Sequence, residues 1–325
     1  MPASPNQYNS KISTSTTANV TNNSHPFLGD IDTQIQGLVD NKTTQLVSYS
    51  PSIIQILEGD PNLSGTYPAK VFESALNAVN FFAENRFSIP RSKIVLYMGR
   101  TQKWLHDIPS TLGCNFEIPQ NKYVGSSFAL GDCNSNDNQT HVLIALGPKV
   151  LNNGSFDDNL NLTQDFNSIT LSRAFYLELI SQAPHEIFHI WQGLTYSKGL
   201  IASDFPSWLV EGSAQLMSLL ANSKFENVKS SNFIEDWFPA FPDITPVQCT
   251  ASLQNIQGQC VYSEGTLGVA FLVAKFGGLK ILKDLFSMPS GISFSNYFEN
   301  ICGEPLENFY EQANSYLKSI NWLRS

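Results

Sequence analysis

Hydrophobic residues recur at helical spacing from about residue 66, where a polar start gives way to a mixed pattern. In the segment AKVFESALNAVNFFAENRF, apolar groups return every three or four positions, and Pro90 lies beyond its end. This spacing predicts a helix. The segments SKIVLYMG (92–99) and HVLIALG (141–147) are apolar runs of strand length, so both are predicted to be buried strands. Residues 66–167 are therefore expected to form a mixed α/β lobe.

The pattern becomes mostly helical from about residue 168 to the end of the chain. The segments with helical character are SRAFYLELISQAPHEIFHIWQGL, PSWLVEGSAQLMSLLAN, EGTLGVAFLVAKFGG, LKILKDLFSM and PLENFYEQANSYLKSINWL. We therefore predict an α+β protein in which a helical lobe, residues 168–325, follows the α/β lobe. Residues 1–35 are rich in Ser, Thr, Asn and Pro and are predicted to be a disordered or linker-like segment, followed by a transition over 36–65.

The composition and the charge argue against several classes of partner. Of the 325 residues, 42% are hydrophobic and 14% are charged, which fits a folded protein with a large core. The formal net charge is -9 and no Lys/Arg cluster is present, so neither nucleic acid nor an anionic membrane is expected as a partner. No apolar stretch has the ~20 residues of a membrane span, and the best, LGVAFLVAKF, is interrupted by Lys275.

Cysteines and acceptor sequences for N-glycosylation together favour an extracellular or cell-surface protein. Cys114 with Cys133, and Cys249 with Cys260, are close enough in sequence to close short loops; free buried thiols are the alternative. Cys302 is left without a partner. No signal peptide is visible at the N-terminus, and we expect any export signal to have been removed. Asn-x-Ser/Thr sequences occur at Asn19, Asn22, Asn41, Asn62, Asn138, Asn153 and Asn161.

The segment APHEIFHIWQG (183–193) contains two histidines four positions apart, with a glutamate directly after the first. On a helix, His185 and His189 project about 40° apart in azimuth, so both imidazoles can bind one metal ion. Glu186 can reach a water on that metal and act as a general base. The alternative is a buried helix whose histidines are satisfied by hydrogen bonds in the core. Pro184 predicts a kink or a new helix start at this point.

A catalytic zinc site normally has three protein ligands and an open fourth position. A histidine six residues after the second one is excluded as the third ligand, because position 195 is Thr and position 192 is Gln. Asp204 and Glu211 remain as candidates. Glu211 is better placed, because Pro206 begins a helical pattern whose apolar residues can pack against the first helix while Glu211 faces across. The alternative for Glu211 is a solvated carboxylate, which its apolar surroundings make unfavourable.

Three segments, PHEIFHIWQG, SWLVEGSAQ and VYSEGTLGVAFLVAKFGG, occur in this order. Together they resemble the gluzincin metallopeptidases of the aminopeptidase-N-like peptidase MA group, which have His-Glu-x-x-His and a distal Trp-x-x-Glu-Gly-x-Ala. The resemblance implies a two-lobed fold with a zinc cleft between the lobes. It implies that His185, His189 and Glu211 bind Zn2+. It further implies that Glu186 is the general base. Tyr262 matches the place of a tyrosine that precedes a helix in that group, which implies that it donates a hydrogen bond to the developing oxyanion.

One departure from that group affects the expected specificity. The aminopeptidases bind the free amino terminus of a substrate with a Gly-x-Met-Glu-Asn segment before the zinc helix, and this chain has none. An endopeptidase that acts on a peptide or protein substrate is therefore favoured, with 141–147 as the edge strand on which an extended peptide docks. His141 on that strand is predicted to be a surface residue, and contact with the substrate is the alternative. The alternatives are an aminopeptidase and a non-catalytic extracellular binding module with a metallopeptidase scaffold.

Overall fold

The computed structural model describes residues 54–58, 66–87, 89, 93–99, 127–130, 139–145, 173–196, 204–228, 249, 252–258 and 260–319. The strands in these regions are β1 (Ile54–Glu58), β2 (Lys93–Gly99), β3 (Ser127–Leu130) and β4 (Gln139–Ala145). The α-helices are α1 (Thr66–Glu84), α2 (Arg173–Thr195), α3 (Ser207–Phe225), α4 (Cys260–Lys275), α5 (Lys280–Phe286), α6 (Phe294–Cys302) and α7 (Leu306–Ser319). A short 3-10 helix spans Leu253–Asn255.

The helices predicted from the apolar period are confirmed. The segment that follows residue 66 forms α1, and its buried residues Val71, Ala75, Ala78 and Phe82 follow the helical period. The segments predicted to be helical after residue 168 form α2, α3, α4, α5 and α7. The structure also contains α6, a helix that the apolar period of the sequence does not predict.

The strands form one mixed sheet in the order β1-β2-β4-β3. β1, β2 and β4 run parallel, whereas β3 pairs antiparallel with β4. β2 and β4 are the two predicted strands, while β1 lies in the predicted transition segment and β3 lies in the connection between the predicted strands. The prediction that 141–147 forms the edge is wrong, because β4 pairs with a strand on each side. Among the residues that the structure places, the outer strands are β1 and β3.

The side chains that the structure places in the inner strands β2 and β4 are buried. Every residue from Ile94 to Met98 in β2 is inaccessible to solvent or nearly so, as is typical of an inner parallel strand covered on both faces. His141 in β4 is also buried, and the hydroxyl oxygen of Tyr97 lies 3.1 Å from its Nδ1. The prediction of a surface position for His141 is wrong, because an inner strand leaves no solvent-facing side at this position.

The protein is mostly helical with a small sheet, which makes it an α+β protein over the part of the chain that the structure describes. The division into lobes at 66–167 and 168–325 stays a prediction. The predicted linker 1–35 lies outside the described residues, and so does the transition 36–65 apart from β1.

No single described helix has both the length and the apolar character needed to cross a membrane. The pair α4 and α5 meets that criterion only when the two helices are taken together, and they are bent by 107° where they meet.

α2 is one continuous helix through Pro184, so the alternative of a new helix start is wrong. A proline leaves the carbonyl group four positions earlier without its helical hydrogen bond. That carbonyl belongs to Ile180, and it accepts hydrogen bonds from Ser74 Oγ at 2.7 Å and from Asn222 Nδ2 at 3.2 Å. Side chains of α1 and α3 therefore replace the missing hydrogen-bond donor. Because α2 is unbroken at Pro184, His185 and His189 lie on the same helix.

α3 and α4 approach each other closely at Gly212 and Gly265. A Cβ atom on Gly212 would lie 2.4 Å from the carbonyl carbon of Gly265, far inside van der Waals contact. The absence of a side chain at Gly212 is therefore what permits this approach of the two backbones. Glu211 precedes this crossing in α3, and Tyr262 lies just before it in α4, so the crossing sets the distance between the helices that contain them.

Replacing Gly212 by Ala is expected to destabilise the fold by about 1–3 kcal/mol, the usual cost of overpacking. At an open helical position the same change stabilises a protein by up to about 1 kcal/mol, so the sign of the effect is diagnostic. Gly268→Ala in α4 is the matched control, because its Cβ would meet the end of the Leu253 side chain at 2.7 Å and no backbone atom, so a smaller loss of stability is expected. Urea unfolding measures both variants. Wild-type stability in Gly212→Ala would contradict the close crossing.

The predicted disulfide between Cys249 and Cys260 is confirmed. It joins the segment before α4 to the first residue of that helix. The other predicted pair, Cys114 with Cys133, lies outside the described residues. Cys302 is a free and half-buried thiol, and burial raises its pKa to about 12. A thiol with so high a pKa is poorly reactive at neutral pH.

Candidate metal centre

His185, His189 and Glu211 bring their ligand atoms together between α2 and α3. Glu211 Oε2 lies 3.3 Å from Nε2 of each histidine, and the two Nε2 atoms are 3.0 Å apart. The two imidazole rings meet edge to face, with an angle of 82° between their planes. The structure thus brings together the three side chains that the sequence predicts as ligands.

The spacing of these three atoms fits a tetrahedral zinc ion. Zinc–nitrogen and zinc–oxygen bonds of about 2.0–2.1 Å place neighbouring ligand atoms about 3.3 Å apart at tetrahedral angles. The observed separations are 3.0 Å between the nitrogens and 3.3 Å from each nitrogen to the carboxylate oxygen. Two imidazoles and one carboxylate also form a ligand set that catalytic zinc sites use. The residues present therefore fit the ion.

Glu211 reaches the histidines because α3 begins shortly before it. Pro206 is the N-cap of α3 with φ -67° and ψ 139°, and the helical residues follow from Ser207. Trp208 is buried in the first turn and stacks on Phe309 of α7, with 5.5 Å between the ring centroids. This packing fixes the start of α3, so that Glu211 in the next turn faces α2.

Gln192 holds His189 in the tautomer that a metal requires. The amide Nε2 of Gln192 donates to the carbonyl oxygen of Val210 at 2.9 Å and to Ser213 Oγ at 2.8 Å. A carbonyl group can only accept, so the amide nitrogen faces α3 and Oε1 faces His189. His189 Nδ1 donates to that Oε1 at 2.7 Å. In the neutral ring the other nitrogen, Nε2, is then free to bind a metal.

The charges in the cluster favour a cation. Burial lowers the pKa of His189, but the charge and hydrogen bond of Glu211 outweigh burial and raise this pKa to about 9. Burial raises the pKa of Glu211, yet the charge of His189 and hydrogen bonds from both histidines hold it well below its usual range. Glu211 is therefore ionised, and it attracts a positive charge that a proton on His189 or a divalent cation can supply.

Glu186 and Tyr262 lie beside the three ligand side chains. Glu186 is buried, and its charge raises the pKa of both His189 and Tyr262, so its carboxylate is near both groups. The Tyr262 ring lies 5.7 Å from the His185 ring, and its hydroxyl is hydrogen-bonded to Glu211. Burial, followed by the charges of Glu211 and Glu186, raises the pKa of Tyr262 far above its usual value. Its hydroxyl therefore remains protonated and can donate.

Tyr262 lies in the first turn of α4, beside the site. α4 begins at Cys260, so Tyr262 is the third residue of the helix, whereas the resemblance implies a tyrosine before a helix. The disulfide to Cys249 ties the start of this turn to the preceding segment. Thr266 Oγ1 donates a hydrogen bond to the carbonyl oxygen of Tyr262 within the same helix.

Asp204, the alternative third ligand, does not join the cluster. Its Oδ2 accepts a hydrogen bond from the hydroxyl of Tyr196 at 2.5 Å. Within the described ranges, the carboxylate that converges with the two histidines is that of Glu211. Gln192 is a positioning residue that sequence analysis does not identify, because its role depends on contacts with α3 that spacing within α2 cannot reveal.

The three clustered side chains can hold a divalent cation. Beside them, the buried carboxylate of Glu186 can accept a proton, and the phenol of Tyr262 can donate a hydrogen bond. Such a combination is typical of metal-assisted hydrolysis.

No family model matches this chain, and no curated protein or solved structure matches it either.

Proposed function

We propose that this protein is a zinc-dependent peptidase of the gluzincin type that cleaves internal peptide bonds. The main support is the convergence of His185, His189 and Glu211, with a buried carboxylate and a protonated phenol beside them. A structural zinc site needs neither a base nor a hydrogen-bond donor next to its ligands. The site residues also come from the three sequence segments that resemble the gluzincins.

Each site residue has a separate role in the proposed reaction. A zinc ion held by His185, His189 and Glu211 would supply a Lewis acid, which lowers the pKa of a water toward about 7 and polarises a carbonyl group. Glu186 takes the proton of the attacking water and later passes it to the leaving amine. Tyr262 donates its phenolic hydrogen to the oxygen that becomes negative, a contribution of typically about 3 kcal/mol.

An extended peptide binds along β3 in this proposal. β3 is an outer strand of the described sheet, and α2 packs against both β3 and β4. A peptide strand added at this edge by main-chain hydrogen bonds would pass near the helix that contains His185 and His189. The α/β lobe and the helical lobe then form the two sides of the cleft.

The proposed substrate is a peptide or protein outside the cell or at its surface. The disulfide between Cys249 and Cys260 is compatible with an oxidising compartment. The chain has no Gly-x-Met-Glu-Asn segment, which favours an endopeptidase over an aminopeptidase. Buried Glu186 favours an enzyme over a binding module, because a carboxylate beside the ligands serves proton transfer and has no part in holding a structural ion.

Removal and return of zinc tests this function. After dialysis against a chelator, hydrolysis of peptides with blocked amino ends is expected to fall to the background rate and to return when one equivalent of zinc is added. Aminoacyl substrates with a free amino end are expected to be cleaved more slowly than the blocked peptides. The reverse preference would favour an aminopeptidase. Full zinc occupancy without cleavage of either substrate would contradict an enzyme and favour the binding module.

A further inference from the structure

The Cys249–Cys260 disulfide lies beside a buried carboxyl group that the proposed reaction does not use. A carboxyl oxygen of Glu264 and both sulfur atoms lie within 4.8 Å of one another. Glu264 is four residues after Cys260 on α4, so the two side chains share one face of the helix. Glu264 is 9% exposed, and its Oε2 has no hydrogen-bond partner in the part of the chain that the structure describes. Buried polar groups are rarely left unpaired, so this position suggests a function.

Glu264 carries a proton at neutral pH. Burial raises the pKa of this carboxyl to about 8, because the interior disfavours its charged form. A protonated carboxyl can donate its hydrogen, whereas an ionised carboxylate can only accept one. The disulfide therefore has an acid next to it under ordinary conditions.

The two cysteines differ in their exposure as residues and in their position relative to α4. Cys249 is half-buried and Cys260 is 8% exposed, so we expect a thiol from solvent to attack at Cys249. Cys260 is the first residue of α4, where the positive end of the helix stabilises a sulfur that gains negative charge. Access and charge therefore favour the same direction: attack at Cys249 with Cys260 as the leaving group.

We propose that Cys249–Cys260 is an exchangeable disulfide and that Glu264 is the acid that protonates the Cys260 sulfur as the bond breaks. A thiolate of an external dithiol attacks Cys249 Sγ and forms a mixed disulfide. The electron pair of the broken Sγ–Sγ bond goes to Cys260 Sγ, which takes the proton of Glu264. The second thiol of the reagent returns a proton to Glu264 and attacks the mixed disulfide. Cys249 leaves and takes a proton from solvent, so the dithiol is oxidised and both cysteines are reduced.

This exchange does not require the peptidase function. The disulfide constrains the first turn of α4, which contains Tyr262. Reduction of the disulfide therefore releases the proposed oxyanion donor. Only this effect of reduction on Tyr262 rests on the proposed function. The exchange can therefore be tested by thiol chemistry without any assay of hydrolysis or of zinc.

The test compares the rate at which dithiothreitol reduces this disulfide at pH 7 in the full wild-type chain and in Glu264→Gln. Freed thiols are alkylated and assigned by peptide mass mapping. Glutamine keeps the side-chain shape but has no acidic proton, so reduction is expected to be about tenfold slower or more. Glu299→Gln, at an exposed position of α6, is the matched control and is expected to react at the wild-type rate. Equal rates in Glu264→Gln and wild type would overturn the proposal.

The wild-type chain gives a second test that does not depend on the folding of a variant. During reduction by glutathione, the trapped mixed disulfide is expected on Cys249, with Cys260 as the free thiol. A mixed disulfide on Cys260 would overturn the proposal, and so would reduction that occurs only after the chain unfolds. Because neither readout involves the metal centre, failure here and failure of the proposed peptidase function are distinguishable.

Discussion

Replacement of Glu186 by Gln is expected to lower kcat for peptide hydrolysis by about 10²–10⁴-fold, the usual contribution of a general base. The glutamine amide has nearly the shape of the carboxylate, but it cannot accept the proton of the attacking water. Zinc content is expected to stay at the wild-type level, because Glu186 is not one of the three converging ligand residues. Steady-state kinetics with a blocked peptide and metal analysis of the same sample measure the two quantities.

Glu178→Gln is the matched control for this substitution. Glu178 lies on the same helix, two turns before the first histidine, and is not among the clustered ligands. Its removal is expected to leave kcat close to that of wild type. An undiminished rate in Glu186→Gln with zinc bound would show that another group takes the proton. Loss of zinc together with the rate would instead assign Glu186 a part in holding the metal.

Replacement of Glu211 by Ala is expected to have the second large effect, on zinc affinity. It leaves two imidazoles, whereas catalytic zinc sites have three protein ligands. Loss of a group that merely supports a ligand costs about 10–100-fold in affinity, so loss of a ligand is expected to raise Kd by more than about 100-fold. Peptide hydrolysis is expected to fall with zinc occupancy. Competition with a chromophoric chelator measures Kd for both chains.

Asp204→Ala is the control, because it shows whether Asp204 or Glu211 is the third zinc ligand. Its carboxylate is hydrogen-bonded to Tyr196 and does not converge with the histidines. Zinc affinity in Asp204→Ala is therefore expected to equal that of wild type, even if the loss of the Tyr196 contact lowers stability. Wild-type affinity in Glu211→Ala with weak binding in Asp204→Ala would move the third ligand to Asp204.

The long helices follow from the sequence because their apolar period is repeated several times. α1 has 19 residues and α2 has 23, so each contains several turns. β1 and β3 have five and four residues, too few for a period to distinguish a strand from a loop. α6 has only nine residues, although Ser293 caps its start and Gly303 ends it in the left-handed conformation with φ 73°. The burial of α6 also depends on a distant contact, since Phe298 is fully buried and packs against Phe309 of α7, which the sequence does not show.

The candidate site is predictable to the extent that its geometry is local. His185 and His189 are adjacent on any helix that contains them, because four residues make about one turn. Glu211 depends on how α3 packs against α2, which the apolar pattern indicates without fixing a distance. Gln192 contacts α3 through its amide, and no spacing within its own segment reveals that. Strand order is also set by distant contacts, which explains the incorrect placement of 141–147 at the edge.

X-ray absorption at the zinc edge of the zinc-loaded wild-type chain tests most directly whether His185, His189 and Glu211 share one ion. We predict nitrogen and oxygen ligands at about 2.0–2.1 Å, with the outer scattering of two imidazole rings and no sulfur. Sulfur at about 2.3 Å, or no imidazole scattering, would contradict the assignment.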